Sequence, residues 1–162
     1  MRSKQKGFSL IELLIVTVII LVIAAVAIPN LMRSRMSANE ASAVASVRTL
    51  ITAEIVYSST YTVGFSSDLL SLSDGGAPAN CIAPAVPAPS SACLIDATLG
   101  SGTKSGYVFT YAAAGGGGTN STFTLKADPI TSAYGQRHFY TDATDVLRVN
   151  FTAPASPSDP TL

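Results

Sequence analysis

The longest run of apolar positions lies near the N-terminus of the chain. Residues 8–28 read FSLIELLIVTVIILVIAAVAI, and their only polar members are Ser9, Glu12 and Thr17. As an α-helix this run would be roughly 31 Å long, close to the hydrocarbon thickness of a bilayer. Residues 1–7 are basic and hold no acid. Because basic residues before a first apolar segment keep that end in the cytoplasm, we expect a single membrane pass with the rest of the chain on the far side.

Helical spacing continues after the apolar run. One stripe, at relative positions i, i+1, i+4, i+7 and i+8, is formed by Ala43, Val44, Val47, Leu50 and Ile51. Pro29 separates this stripe from the apolar run, and its missing N–H and bulky ring predict a kink. We therefore predict one long bent helix over residues 8–58, in which residues 29–58 pack on a small head domain.

The middle of the chain, residues 59–106, is rich in Ser, Thr, Gly, Pro and Ala. This composition is typical of a connecting loop. Within it, residues 68–72 predict a single helical turn, with Ser66 or Ser67 as the capping residue.

Strand patterns follow in the last third of the chain. Apolar and polar positions alternate in four segments, which are residues 107–111, 122–126, 137–141 and 146–149. The run from Gly115 to Gly118, together with Asn120, predicts a flexible hairpin connection between the first two segments. Residues 107–152 therefore predict an antiparallel meander of about four strands, with one face packed on the helix. The fold class is α+β, and the Pro-rich tail, residues 153–162, is expected to be disordered or draped over the surface.

Composition narrows the possible functions. The chain has 162 residues, of which 48% are hydrophobic and only 12% are charged, whereas a typical soluble domain is about 25% charged. Ten basic and ten acidic residues give a formal net charge of zero. This balance argues against a protein that binds nucleic acid through phosphate contacts.

Candidate catalytic and metal-binding residues are few. His138 is the one histidine, so a multi-histidine metal site within one chain is excluded, and no acid–base or nucleophile constellation is visible. Asp142 and Asp145 share one predicted hairpin turn and could bind calcium, but turn chemistry alone explains aspartate there. We therefore expect a protein that is not an enzyme and that holds no cofactor.

Glu12 is the single charge inside the apolar run. A carboxylate within a membrane segment is costly, so it indicates a functional contact with a specific partner. Cleavage after Gly7 would create an α-amino group on Phe8. In a neighbouring copy of the chain, that amine is a suitable partner for the Glu12 carboxylate.

The segment from Lys6 to Glu12, followed by an unbroken apolar helix and Pro29, resembles the class III signal of type IV pilins and type II secretion pseudopilins. The match covers roughly residues 4–57. The resemblance implies cleavage after Gly7 by a prepilin peptidase, N-methylation of Phe8 and an assembly role for Glu12. It also implies an inner-membrane precursor with a cytoplasmic N-terminus and a periplasmic head, which becomes part of a surface pilus or a periplasmic pseudopilus.

Other interpretations of this segment remain. A secretory signal peptide fits less well, because the apolar run exceeds the usual 7–15 residues of such signals. Hydropathy alone does not reject a plain membrane anchor. We predict a structural subunit of a type IV pilus-like filament that contacts its own copies, prepilin peptidase, the assembly machinery and, before assembly, membrane lipid. The alternatives are a secretion pseudopilin and a membrane-anchored binding domain that never polymerises.

Cys81 and Cys93 bracket a Pro-rich segment. Export across the membrane exposes this region to oxidising conditions, which favour a disulfide between them. Such a bond would stabilise the short loop by roughly 3 kcal/mol on the chain-entropy model. The alternative is two free cysteines.

Overall fold

The computed structural model describes residues 7–82, 86–116 and 119–162. The chain divides into two compact units, one ending at Arg35 and the other beginning at Met36. Helix α1 (Leu10–Tyr61) contributes to both units and contains Pro29. Its ends lie close to the predicted boundaries at residues 8 and 58. The helical assignment is continuous through Pro29, and the kink at this residue stays a prediction.

In the first unit, the apolar part of α1 has no protein cover. Every large hydrophobic side chain from Phe8 to Met32 is exposed. By length and composition this part of α1 is able to cross a membrane, and none of its most apolar 18-residue window is buried. Because such a surface is unfavourable in water, it requires lipid or other protein around it.

In the second unit, α1 buries one stripe against the head. Ala43, Val47 and Leu50 are each 1% exposed, and Val44 and Ile51 pack on the same core while remaining partly exposed. The predicted stripe is therefore confirmed. It extends to Ala53 and Tyr57, which are also buried, as the three- and four-residue spacing of a helix face requires.

The head contains one antiparallel sheet of five strands in sequence order. The strands are β1 (Thr103–Lys104), β2 (Tyr107–Gly116), β3 (Thr119–Pro129), β4 (His138–Asp142) and β5 (Arg148–Asn150). The predicted α+β fold class and the antiparallel meander are confirmed. The sheet has one strand more than the four predicted, and this additional strand is β1. Two residues are too few for a readable alternation, so the pattern alone does not reveal this strand.

Three short helices lie in the connecting segment, residues 59–106. They are α2 (Leu69–Leu72), a 3₁₀ helix (Pro78–Cys81) and α3 (Ala97–Gly100). The predicted turn corresponds to α2, but the predicted cap is wrong. The side chain of Asp68 caps this helix by accepting a hydrogen bond from Ser71 N at 2.8 Å.

The hairpin between β2 and β3 is longer than the glycine pattern indicates. Gly115 and Gly116 belong to β2 and Asn120 belongs to β3, so their assignment to a loop is wrong. The strand pairing shifts between Ala114 and Gly115. A Cβ atom at Gly115 would collide with the carbonyl oxygen of Thr119, so this close approach of two backbones requires glycine at position 115. Gly117 and Gly118, also assigned to the predicted loop, lie outside the described residues.

Asn120 connects this hairpin to the segment after α1. Its side-chain amide donates to the carbonyl oxygens of Phe65 and Ser66 at 3.0 and 3.1 Å. Its own carbonyl oxygen accepts from Phe65 N at 2.8 Å. The side chain therefore holds the chain after α1 against the sheet.

The C-terminal tail runs along β5. Val149 N donates to Pro160 O at 3.0 Å, and Leu162 N donates to Leu147 O at 2.9 Å. Ala155 is buried. Residues 153–162 were expected to be either disordered or draped over the surface, and the structure agrees with the second expectation.

A disulfide joins Cys81 and Cys93. It closes the connecting segment between the 3₁₀ helix and the chain that leads to α3. Residues 83–85 of this loop lie outside the described residues.

Replacing both cysteines by serine is expected to lower the free energy of unfolding by roughly 3 kcal/mol, because the open loop has more conformations in the unfolded chain. Denaturant unfolding of the full chain in detergent measures this. Reductant should destabilise the wild-type chain by a similar amount and leave the double variant unchanged. Equal stability of the two oxidised proteins would contradict the prediction.

Candidate functional site

The N-terminal residues singled out by sequence lie together at the start of α1. Gly7, Phe8 and Ser9 precede the helix. The carbonyl oxygen of Ser9 accepts from Glu12 N at 3.1 Å and from Leu13 N at 3.3 Å. Glu12 therefore lies in the first helical turn, where a carboxylate interacts favourably with the helix dipole.

The side chains around this turn are exposed, including Phe8 and Glu12. No residue in the described part of the chain forms a salt bridge with Glu12. Thr17, the next polar residue along the helix, is different because its hydroxyl donates to Leu14 O at 2.9 Å. The carboxylate of Glu12 is thus the charged group of the apolar run, and it has no ion-pair partner among the described residues.

A second group of polar residues fixes the loop before β4 to α1. Glu40 accepts from Gln136 N at 2.8 Å, from Arg137 N at 3.3 Å and from Arg137 Nε at 2.6 Å. The Tyr107 hydroxyl donates to Arg137 O at 2.9 Å. Burial alone would raise the pKa of Glu40, but the hydrogen bonds from Gln136 and Arg137 and the guanidinium charge outweigh it and lower the pKa.

A third polar group lies under the chain that leaves α1. Glu54 is 1% exposed and accepts from Ser66 N at 2.9 Å and from Ser66 Oγ at 2.5 Å. Burial raises the pKa of Glu54, and the hydrogen bonds from Ser66 offset only part of that shift. Ser66 thus binds Glu54, whereas α2 is capped by Asp68, the residue that directly precedes the helix.

Glu54→Gln is expected to change how stability depends on pH. Because the folded pKa of Glu54 lies above its ordinary value of 4.5, folding disfavours the charged form. The contribution of Glu54 to stability is therefore greatest below pH 4.5 and declines as the pH rises from there through the folded pKa. Glutamine does not titrate, so the free energy of unfolding of the wild type, minus that of the variant, should fall across this range. Denaturant unfolding at a series of pH values measures it, and a constant or rising difference would contradict the prediction.

Both glutamates belong to the buried stripe of α1. The positions 40, 43, 47, 50, 54 and 57 follow the three- and four-residue spacing of one helix face. Sequence reasoning missed both residues because glutamate in a helix normally faces water. The signal that could have found them is their position on the apolar stripe.

The two aspartates proposed for calcium lie at the end of β4 and just after it. Asp142 accepts from Thr144 N at 2.9 Å, from Thr144 Oγ1 at 2.6 Å and from the Tyr140 hydroxyl at 3.3 Å. The hydrogen bond from the Thr144 hydroxyl is the main cause of the lowered pKa of Asp142. Asp145 has a positive φ of 61°. Among residues 7–82, 86–116 and 119–162, no cluster of three or more metal-ligating side chains is present.

Comparison with known families identifies the N-terminal segment. Residues 2–28 match the family model described as the prokaryotic N-terminal methylation motif, which is the prepilin signal of type IV pilins and pseudopilins. Comparisons with curated proteins and with solved structures give no match. The chain thus carries the signal of a pilin-type precursor, and this motif marks structural proteins that are not enzymes.

Proposed function

We propose that this chain is a structural subunit of a type IV pilus-like filament. It is made as a precursor in the inner membrane, with a cytoplasmic leader and a periplasmic head. Prepilin peptidase cleaves it after Gly7, and the new N-terminal Phe8 is methylated. The observation that carries the proposal is the prepilin signal at residues 2–28, whose apolar part belongs to a helix with no protein cover.

Assembly is a change of surroundings for the apolar part of α1. In the membrane, lipid chains cover its exposed side chains. In the filament, the same surface contacts α1 of neighbouring copies. Because the helix stays in apolar surroundings, little hydrophobic free energy is lost on leaving the membrane. The external assembly machinery supplies the remaining energy.

Glu12 sets the axial register between subunits. Among apolar helices its carboxylate is unfavourable unless it is paired. The α-amino group of Phe8 in the next subunit is a suitable partner, because cleavage creates this positive charge only in the mature chain. The contact therefore couples leader removal to assembly.

Gly7 is the position that the peptidase recognises. In the described structure, a Cβ atom at Gly7 would meet nothing within 4 Å. No contact within the described part of the chain therefore requires glycine there. This supports a requirement imposed by an external enzyme.

Expression of the full chain with and without a prepilin peptidase tests the processing step. Mass spectrometry of the N-terminus should find a chain that begins at Phe8 only when the peptidase is present. A chain that keeps residues 1–7 in the presence of an active peptidase, verified on a known prepilin, would favour the membrane-anchored domain that never polymerises.

A further inference from the structure

A surface cleft lies at the end of the sheet where β3 finishes and β4 begins. It has a volume of about 380 Å³ and is lined by Thr131, Ser132, Gln136, His138 and Phe151, among others. This volume lies within the range of small-molecule sites. The lining combines hydroxyl, amide and imidazole groups with one aromatic ring.

The loop that forms one wall is held in place. Its backbone at Gln136 and Arg137 is bound by Glu40, and its carbonyl oxygen at Tyr134 accepts from the Asn39 side-chain amide at 3.1 Å. These bonds attach the loop to α1 at two positions. The cleft is therefore formed before any ligand arrives, which lowers the entropic cost of binding.

Phe151 presents an apolar ring at this polar cleft. Its side chain is 65% exposed, although phenylalanine favours burial. The turn that carries it is fixed, since Asn150 Oδ1 accepts from Thr152 N at 2.9 Å and Asn150 Nδ2 donates to Asp159 Oδ1 at 3.0 Å. The exposed ring is thus attached to an ordered turn and is available to stack on a ligand.

Asp128 orients the imidazole ring of His138. Its Nδ1 lies 2.6 Å from Asp128 Oδ1, and its other ring nitrogen, Nε2, makes no hydrogen bond to a described residue. With Nδ1–H donating to the carboxylate, Nε2 accepts in the neutral ring and donates in the protonated one. A ligand hydroxyl matches either state because it both donates and accepts.

The charges of the lining residues indicate which class of ligand fits the cleft. No lysine or arginine is present among the described residues that line it, and the imidazole is already paired with a carboxylate. This disfavours anions such as phosphate. The lining matches a neutral ring that carries several hydroxyl groups on its rim and apolar C–H groups on its faces.

We propose that this cleft binds neutral saccharides. The sugar ring stacks on Phe151, and its hydroxyls bond to the side chains of Gln136, Ser132 and His138. The site lies entirely within the head unit, so its binding is measured on the unassembled chain.

Saturation-transfer NMR on the full chain, in a zwitterionic detergent without a sugar headgroup, tests the site. The probes are methyl β-galactoside, methyl β-glucoside, N-acetylglucosamine and inorganic phosphate, the last followed by its phosphorus signal. At least one sugar should bind, with the strongest transfer to its ring C–H protons. Phe151→Ala should weaken binding about tenfold, and Gln136→Ala should weaken it while keeping the backbone bond to Glu40.

Two matched variants separate the cleft from general effects. Phe151→Tyr keeps the ring and should bind as the wild type does. Ile82→Ala removes a side chain that is also 65% exposed but lies outside the cleft lining, and it should leave binding unchanged. Equal melting temperatures would show that Phe151→Ala is folded. The proposal is overturned if no sugar binds, if Phe151→Ala binds sugar as well as the wild type does, or if phosphate is the only ligand. None of these results tests the filament proposal.

Discussion

Cells that make the Glu12→Ala variant should carry at least about 100-fold fewer filaments containing this subunit, while the precursor is still inserted and cleaved. In the filament core, the variant leaves the α-amino group of Phe8 without its carboxylate. Removing one member of a buried ion pair costs about 3–5 kcal/mol, and each 1.4 kcal/mol is a factor of about ten in an equilibrium constant. Quantitative blotting of sheared filaments and of membranes measures both quantities.

Thr17→Val is the matched control for Glu12→Ala. Thr17 lies in the same apolar part of α1, and its hydroxyl is already satisfied by Leu14 O. Valine has nearly the same shape and favours an apolar environment, so filament yield should stay close to that of the wild type. Normal filament yield from cleaved Glu12→Ala would refute the proposed register contact.

The Glu40→Ala variant should lower the free energy of unfolding of the head by about 2–3 kcal/mol. It removes a charged acceptor that binds two backbone N–H groups and the guanidinium of Arg137, and bonds to charged groups are worth about 1.5–3 kcal/mol. Denaturant unfolding of the full chain in detergent measures the loss. Glu40→Gln should lose less, because its amide oxygen still accepts from the backbone.

Lys104→Ala is the control for Glu40→Ala. It removes an ion pair to Asp96 of 2.9 Å, whose side chains are much more exposed than that of Glu40. Exposed pairs contribute about 0–1 kcal/mol, so this variant should remain close to the wild type. A loss at Lys104 as large as the loss at Glu40 would contradict the role assigned to Glu40.

The effect of Glu40→Ala should also depend on pH. Because the folded pKa of Glu40 lies below its ordinary value of 4.5, the charged form stabilises the folded head. That contribution is complete above pH 4.5 and is lost as the pH falls through the folded pKa. The stability difference between wild type and variant should therefore shrink in acid, which is the opposite direction to that expected for Glu54→Gln.

The features that the sequence predicts well are those that depend on local patterns of residues. Helix α1 follows from a long apolar run and a stripe at helical spacing, and the strands follow from alternation around aromatic residues such as Tyr107 and Phe109. The N-terminal signal is equally local, since Gly7, Phe8 and Glu12 are close neighbours. These features need no knowledge of distant contacts.

Long-range contacts account for what the sequence does not predict. Glu40 is buried because Arg137, which is 97 positions away, binds it. Asn120 pairs with Gly115 in the sheet, and its side chain binds the carbonyl oxygens of Phe65 and Ser66, which are 55 and 54 positions away. Ser66, which was expected as a cap of α2, instead donates to Glu54, which is 12 positions away. The proposed saccharide cleft is equally hidden, because its residues come from the end of β3, the loop before β4, β4 itself and the turn after β5.

Mass spectrometry of filaments sheared from cells shows whether this chain polymerises through its processed N-terminal helix. We expect the filament fraction to contain this chain, beginning at an N-methylated Phe8 and lacking residues 1–7. Recovery of the chain only in the membrane fraction, with residues 1–7 still attached, would contradict it.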